Sequence, residues 1–507
     1  MKRKQRDFNW TVAAISLIIL GSPVLPAVRP VSPWTCPTTS RPAPAEPRIR
    51  VLVDPRLELM SVVFRLAGSP EYNRGSVASY VADVERHFGR FKAHAAVARV
   101  QSLRASRGIS YNAPISLAVY LSDAETLAER APLDPLPPRV DERWRPADAR
   151  AFLADLRSFV RETDFMSFFR AHKSLYQAAV NRLNAVLGEG RVVEWFDGFF
   201  GGRPGADFVI ALGMLNGGAS YGASARFEDG REEIYSVLGI WMLDGTGQPK
   251  FDKGILSTIA HEFCHSYTNP LVDKHTAELK AAGEKIFPYV AEELRRQAYG
   301  DWLTMMYESL VRACGVRYTL SLDGRQAAAM EAKSNRDKRF LWTGELADLL
   351  GEYEEQREKY PTLDAFFPRI ADFFNGYSGR VERDLAALDE EKRKEMEALK
   401  EKSPKIITLV PGNGARDVDP GLEAIVVTFD RPMMGGNIAV MILDQSKFPK
   451  TPGRAAYNAT RTVLRIPVTL EPGREYVLGL NGEGHLVMKD DLGHPLVPFV
   501  IKFRTRK

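Results

Sequence analysis

Two histidines and a glutamate stand within five consecutive positions, as His261, Glu262 and His265. At 3.6 residues per turn, histidines four residues apart project from the same side of a helix, where their imidazole nitrogens can bind one metal ion. Glu262 lies about 100° round the helix, near such an ion without binding it, where a carboxylate can accept a proton from water. The spacing therefore predicts a metal site with Glu262 as its general base.

The flanking sequence predicts a helix over 253 to 268. Asp252 is its predicted N-cap, and Asn269-Pro270 is its predicted stop signal. An apolar stripe recurs at every fourth residue, at Ile255, Ile259 and Phe263. The alternative interpretation is an amphipathic core helix whose histidines only form hydrogen bonds.

A catalytic zinc site has three protein ligands and one open position. We expect Glu308 to be the third ligand, because Trp302 to Ala313 reads as a second helix that can face the first. Arg312, one turn further on, is expected to hold the Glu308 carboxylate by a bidentate contact. Other acidic residues stay open as competitors for this role: Asp273, Glu278, Glu284, Glu292, Glu293 and Asp301.

Two strand-like runs precede the motif. They are 219 to 227 and 233 to 241, joined across Asp229-Gly230, and they predict a β-hairpin. An edge strand beside the metal helix could bind an extended peptide by backbone pairing. Four side chains remain open as donors to the oxyanion of a tetrahedral intermediate: Tyr221, Tyr235, Tyr267 and His275.

The N-terminus predicts export. Cationic residues precede a short apolar run, so residues 1–27 read as a signal peptide, with an uncleaved N-terminal anchor as the alternative. Residues 28–48 are rich in Pro, Arg and Ser and predict a flexible tether. We therefore expect a periplasmic, cell-surface or secreted location.

Composition shifts divide the rest of the chain into three parts. Residues 49–382 are expected to form a mostly helical α+β unit of zincin-like fold, with the hairpin or a small sheet beside the zinc helix. Residues 383–403 are dense in Glu, Lys and Arg and predict a charged helical linker. Short β runs separated by turn signals predict a β-sandwich over 404–507.

The charge pattern argues against nucleic-acid binding. The formal net charge is +5 over 507 residues, and basic residues alternate with acidic ones instead of clustering. Three cysteines are too few for a disulfide framework. The expected partner is a peptide or protein substrate.

Several motifs carry a resemblance to known families. They are the run from Asp54 to Leu59, the run from Gly108 to Tyr111, Tyr221-Gly222, the motif from His261 to Ser266 with Asn269-Pro270, and Glu308 with Arg312-Ala313. With these motifs, the span from 50 to 380 resembles a bacterial exported family of unknown role that is grouped with gluzincin metallopeptidases. The resemblance implies that zinc is bound by His261, His265 and Glu308, with Glu262 as base. Thermolysin-like gluzincins carry Asp where this chain has Arg312.

The C-terminal segment has its own resemblance. Pro404, Pro411, Gly414-Ala415, Val427, Phe429 and Pro432-Met433 are similar to the opening pattern of bacterial Ig-like domains. That resemblance implies a spacer, or a module that associates with the cell envelope or surface.

These observations predict a zinc metallopeptidase that hydrolyses peptide bonds with zinc-activated water and Glu262 as general base. The alternative is a cell-surface binding or adhesion protein with a structural or degenerate zinc site and an Ig-like spacer. A structural site would require a fourth protein ligand, and the sequence offers no obvious one.

Overall fold

The structure is a computed structural model that describes residues 49–188, 191–203, 205–482 and 486–507. The signal peptide or anchor expected at 1–27 and the tether expected at 28–48 lie outside the described residues. The chain forms two compact units that divide between Val381 and Glu382. Among the described helices, none is both long and apolar enough to span a membrane.

The first unit combines helices with one small sheet, an α+β architecture. Its helices are α1 Pro55–Leu66, α2 Ala78–Phe88, α3 Ala95–Arg107, α4 Ala113–Ala118, α5 Pro146–Thr163, α6 Phe165–Ala171, α7 Lys173–Leu187, α8 Val192–Phe200, α9 Ile255–Lys274, α10 Thr276–Arg296, α11 Trp302–Asp337, α12 Thr343–Glu355 and α13 Leu363–Tyr377. Its strands are β1 Ile49–Leu52, β2 Ala206–Gly213, β3 Tyr221–Arg226 and β4 Glu232–Gly239.

The sheet has the order β1-β2-β4-β3, so β3 is an edge strand. β1, β2 and β4 are parallel to one another, whereas β3 pairs with β4 in antiparallel fashion. The predicted hairpin before the motif helix is therefore confirmed. The parallel strands β1 and β2 did not follow from the sequence, because their pairing joins segments on either side of eight α-helices.

The motif helix α9 differs from its prediction at both ends. Asp252 accepts a hydrogen bond from the Gly254 amide at 3.0 Å instead of capping the helix, which begins at Ile255. The helix also continues through Pro270 to Lys274, so the predicted stop at Asn269-Pro270 was wrong. A proline removes one backbone donor, but the turn beyond it is retained because the side chain of Val272 is buried.

The second helix of the site was predicted correctly at its start. α11 begins at Trp302, where Asp301 caps it by accepting a hydrogen bond from the Thr304 amide at 2.8 Å. The helix then extends far beyond the predicted Ala313 and bends at Gly324, whose φ of 83° is in the left-handed region that favours glycine. α11 packs against α9, and α9 also packs against β3 and β4.

The second unit begins within the first turn of one long helix, α14 Val381–Lys402, which is followed by strands. The strands are β5 Ile406–Val410, β6 Ala424–Phe429, β7 Val440–Met441, β8 Ala456–Tyr457, β9 Val463–Pro467, β10 Glu475–Leu480 and β11 Phe499–Arg504. They form two antiparallel sheets, β5-β6-β9-β8 and β11-β10-β7, which share one apolar core that includes Ile425, Leu464, Leu478 and Ile501. The Ig-like assignment and the boundaries at 382/383 and 403/404 stay predictions.

Candidate metal site

The structure brings His261, His265 and Glu308 together between α9 and α11. His261 Nε2 lies 3.7 Å from Glu308 Oε2, and His265 Nε2 lies 3.5 Å from Glu308 Oε1. One ligand atom from each of the three residues falls within 4.8 Å of the other two. Within the described residues, this is the group of three or more His, Cys, Asp and Glu side chains that could hold a metal ion.

The spacing of these atoms fits a shared ion. Ligands about 2.05 Å from a tetrahedral metal ion are about 3.3 Å apart, close to the separations between the histidine nitrogens and the carboxylate. Oε2 of Glu308 is buried and accepts no well-aligned hydrogen bond from the described residues, although it is ion-paired. The histidine side chains are about one quarter and one fifth exposed, whereas Glu308 is buried. A bound ion would therefore contact the buried Glu308 on one side and be accessible from solvent on the side of the two histidines.

Both histidine side chains have surroundings that favour metal binding. Nδ1 of His265 lies 3.2 Å from Oδ1 of Asn269, one turn later on α9, which makes Nδ1 the protonated nitrogen and leaves a lone pair on Nε2. Burial lowers the pKa of His261 to about 3, and the opposing effect of Glu308 is smaller. A neutral imidazole is the form that binds metal. Asn269 was read from the sequence only as part of a helix stop, so its contact with His265 was missed.

Glu308 is held by a buried cation. Arg312 Nη2 lies 3.0 Å from Glu308 Oε2, and both side chains are less than one tenth exposed. Nε of Arg312 has no hydrogen-bond partner among the described residues and Nη1 donates to Asn335 at 2.8 Å, so the predicted bidentate contact with Glu308 was wrong. The nitrogen that contacts Glu308, Nη2, also donates to the Tyr299 hydroxyl at 2.9 Å. The guanidinium group lies over the Phe340 ring. Arg312 is thus fixed by three other side chains.

Tyr299 joins the two charges. Its hydroxyl accepts from Arg312 and also hydrogen-bonds to the Glu308 carboxylate. Burial raises the pKa of Glu308, but Arg312 and the two histidines outweigh it, so the pKa lies below its ordinary value. Glu308 is therefore a carboxylate even before a metal ion binds. Neither Tyr299 nor Asn335 carried a sequence signal, because each reaches Arg312 only through the tertiary fold.

Glu262 lies beside the edge strand. Its carboxylate accepts a hydrogen bond from the Gly222 amide, and the absence of a side chain at Gly222 permits this approach. A Cβ there would lie 2.6 Å from the Glu262 carbonyl oxygen and 3.2 Å from Cβ of His265. Burial and the charge of Glu308 raise the pKa of Glu262 to about 8. Its proton affinity is consequently in the range useful for acid–base chemistry near neutral pH.

Several competitors for the third-ligand role have other partners. Asp301 caps α11, Glu278 contacts His275, Asp273 bonds to Tyr307 and Glu293 pairs with Arg296. Glu284 pairs with Lys280 and Glu292 with Arg296.

Among the four oxyanion-donor candidates, three are engaged away from the motif. His275 contacts Glu278 and Asp364, the Tyr235 hydroxyl donates to Glu233, and the Tyr267 ring stacks on Phe200. The electrostatic neighbours of the Tyr221 hydroxyl include Glu262, whereas those given for Tyr235 do not. The choice among the four stays open, but the structure favours Tyr221.

Comparison with protein families matches residues 49–373, more than half of the chain, to a family described as a domain of unknown function, DUF4932. The chain belongs to this family. No curated protein matches the sequence.

Two solved structures show weak similarity. CopC from Methylosinus trichosporium OB3b is 16% identical over 20% of this chain and 93% of that chain, with a TM-score of 0.17. The S-layer protein rSbsC is 17% identical over 53% of this chain and 35% of that chain, with a TM-score of 0.15. This chain thus spans about a third of that S-layer structure, and neither TM-score supports a shared fold.

Proposed function

We propose that this protein is a zinc-dependent metallopeptidase of gluzincin type. The observation that carries the proposal is the meeting of His261, His265 and Glu308 around one point, with Glu262 on the same helix. Two neutral imidazoles and one carboxylate are the donor set of catalytic zinc in several peptidases, in which a fourth position is open. The described residues offer no fourth ligand, which favours an open catalytic site over a closed structural one.

Each residue has a defined part in the proposed reaction. When bound, zinc supplies a Lewis acid that polarises a carbonyl oxygen and brings the pKa of a water molecule toward about 7. His261, His265 and Glu308 would hold the ion, and Asn269, Arg312 and Tyr299 would orient these ligands. Glu262 accepts the proton of the attacking water and delivers it to the leaving amine. Its position beside the Gly222 amide, at the free edge of the sheet, supports a proton transfer close to a bound peptide.

The edge strand β3 supports a peptide substrate. It lies against α9, and its free side can pair with an extended chain as a further strand. The proposal includes a zincin-like fold for the first unit and an Ig-like module for the second. It also includes export of the chain and envelope or surface association through the second unit, as the sequence predicts.

Substitution of Glu262 by glutamine tests the proposed function. The full chain, loaded with zinc, is assayed against a mixture of unstructured peptides by mass spectrometry, and bound zinc is measured on the same samples. We expect E262Q to retain zinc and to lose activity by at least about a hundredfold, the usual contribution of a general base. E58Q is the matched control, because Glu58 is also a buried glutamate but contacts Tyr80 and Met214 instead of the site.

Full activity in E262Q would refute the assigned role of this residue. Zinc-loaded wild type that cleaves no peptide would favour the cell-surface binding protein instead.

A further inference from the structure

Only alternate residues of β3 direct their backbone groups away from β4, toward the free edge of the sheet. In an antiparallel pair, successive residues direct their backbone N–H and C=O groups alternately toward and away from the partner strand. Phe227 donates to the Arg231 carbonyl at 3.0 Å, so the odd-numbered positions face β4. The outward groups therefore belong to Gly222, Ser224 and Arg226, and these are the groups with which a bound peptide would pair.

The outward amides at the two ends already have partners. The Gly222 amide donates to Glu262, which marks the end of the strand where peptide cleavage is proposed. The Arg226 amide donates to the Tyr120 hydroxyl at 3.1 Å. Between them, the backbone of Ser224 has no outward partner in the described part of the chain, although the residue is only 7% exposed. An unpaired, nearly buried backbone position is where a peptide strand gains most from pairing.

Tyr120 is a fixed obstacle at the Arg226 end. Its side chain is fully buried, and its ring packs edge-on against Phe227. The carbonyls on either side of it are also bound: Val119 accepts from Arg130 at 3.1 Å and Leu121 accepts from Arg56 at 2.6 Å. The preceding helix α4 packs against β3 as well. The covered end of the strand is thus part of the core of the unit.

We propose that Tyr120 closes the β3 edge and restricts the substrate to peptides cleaved close to their free N-terminus. An antiparallel peptide runs opposite to β3, so the part that precedes its scissile bond extends from Gly222 toward Arg226. That distance is about 13 Å at about 3.3 Å per residue. Once the Arg226 position is excluded, about two or three residues fit before the scissile bond. This inference deepens the proposed peptidase function and depends on it.

A length series of peptides tests the inference on the zinc-loaded full chain. The peptides share the sequence around one cleaved bond and carry one, two, four or eight residues before it. We expect kcat/KM to fall by at least about tenfold between two and four preceding residues, because the longer peptides lose their pairing at Ser224. Y120A should reduce this dependence on length, whereas Y120F, which retains the ring, should keep it.

Two results would overturn the inference, and they are distinguishable. If peptides with four or eight preceding residues are cleaved as well as the short ones, the edge is open and only this inference fails. If no peptide of any length is cleaved, the proposed function fails with it. The wild-type series decides the question even if Y120A does not fold, since Tyr120 is a core residue.

Discussion

The ion pair between Arg312 and Glu308 gives a sharp prediction for R312M. Methionine retains the packing on Phe340 but removes the cation, which leaves Glu308 buried and without its countercharge in the metal-free protein. Removal of one partner from a buried pair costs about 3 kcal/mol or more. For a unit of roughly 330 residues, this lowers the melting temperature by about 4 °C.

Zinc should restore most of this stability. If Glu308 is a zinc ligand, the charge of the ion replaces that of Arg312, and the loss in the zinc-loaded variant should be less than about 1 kcal/mol. Differential scanning calorimetry of wild type and R312M, each with and without zinc, measures the four melting temperatures. The difference between variant and wild type should shrink on addition of zinc.

R317M is the matched control. Arg317 lies on the same helix and pairs with Glu354, but it has no contact with the metal site. Zinc should leave the effect of R317M unchanged. If R312M loses equal stability with and without zinc, Glu308 is not a ligand and the reasoning fails.

Two further predictions concern other groups. Burial raises the pKa of Glu58 from its ordinary 4.5 to about 7. Because Glu58 ionises at a lower pH in the unfolded chain than in the folded protein, the free energy of unfolding falls by about 3 kcal/mol as pH rises from 4.5 through 7. E58Q should remove much of that fall in urea unfolding at pH 4.5 and pH 8; an unchanged pH dependence would contradict this. Y299F should weaken zinc binding about tenfold in competition with a zinc-binding dye, because the hydroxyl that orients Glu308 is lost. Y353F, whose hydroxyl donates to the Phe199 carbonyl at 2.8 Å, should bind zinc normally; equal affinity in both variants would show that Tyr299 does not position the ligand.

Local spacing was the strongest source of prediction. The positions of His261 and His265 on one helix face follow from 3.6 residues per turn, and the β3–β4 hairpin follows from two β runs around Asp229-Gly230. Glu308 could be chosen because a second amphipathic helix was readable around it. Each of these signals is local, because it is contained in one helix or one hairpin of the sequence.

What could not be predicted depends on contacts between distant segments. Tyr299 and Asn335 surround Arg312 only because the loop that follows α10 and the far part of α11 fold back on it. The sheet needs β1 beside β2, a pairing that no local pattern encodes. The predicted stop of α9 at Asn269-Pro270 was wrong because the buried side chain of Val272 retains the turn that follows. Tertiary packing therefore determined both the surroundings of the site and where helices end.

The central claim is that one zinc ion is held by His261, His265 and Glu308. The most direct test is the zinc content of the full chain after dialysis against a weak chelator, combined with zinc X-ray absorption to identify the ligands. We predict one zinc per chain with two imidazole ligands in wild type, and its loss in H265Q and E308Q. H275Q should retain it, because His275 contacts Glu278 and Asp364 instead. Wild type without zinc, or zinc retained in both H265Q and E308Q, would contradict the claim.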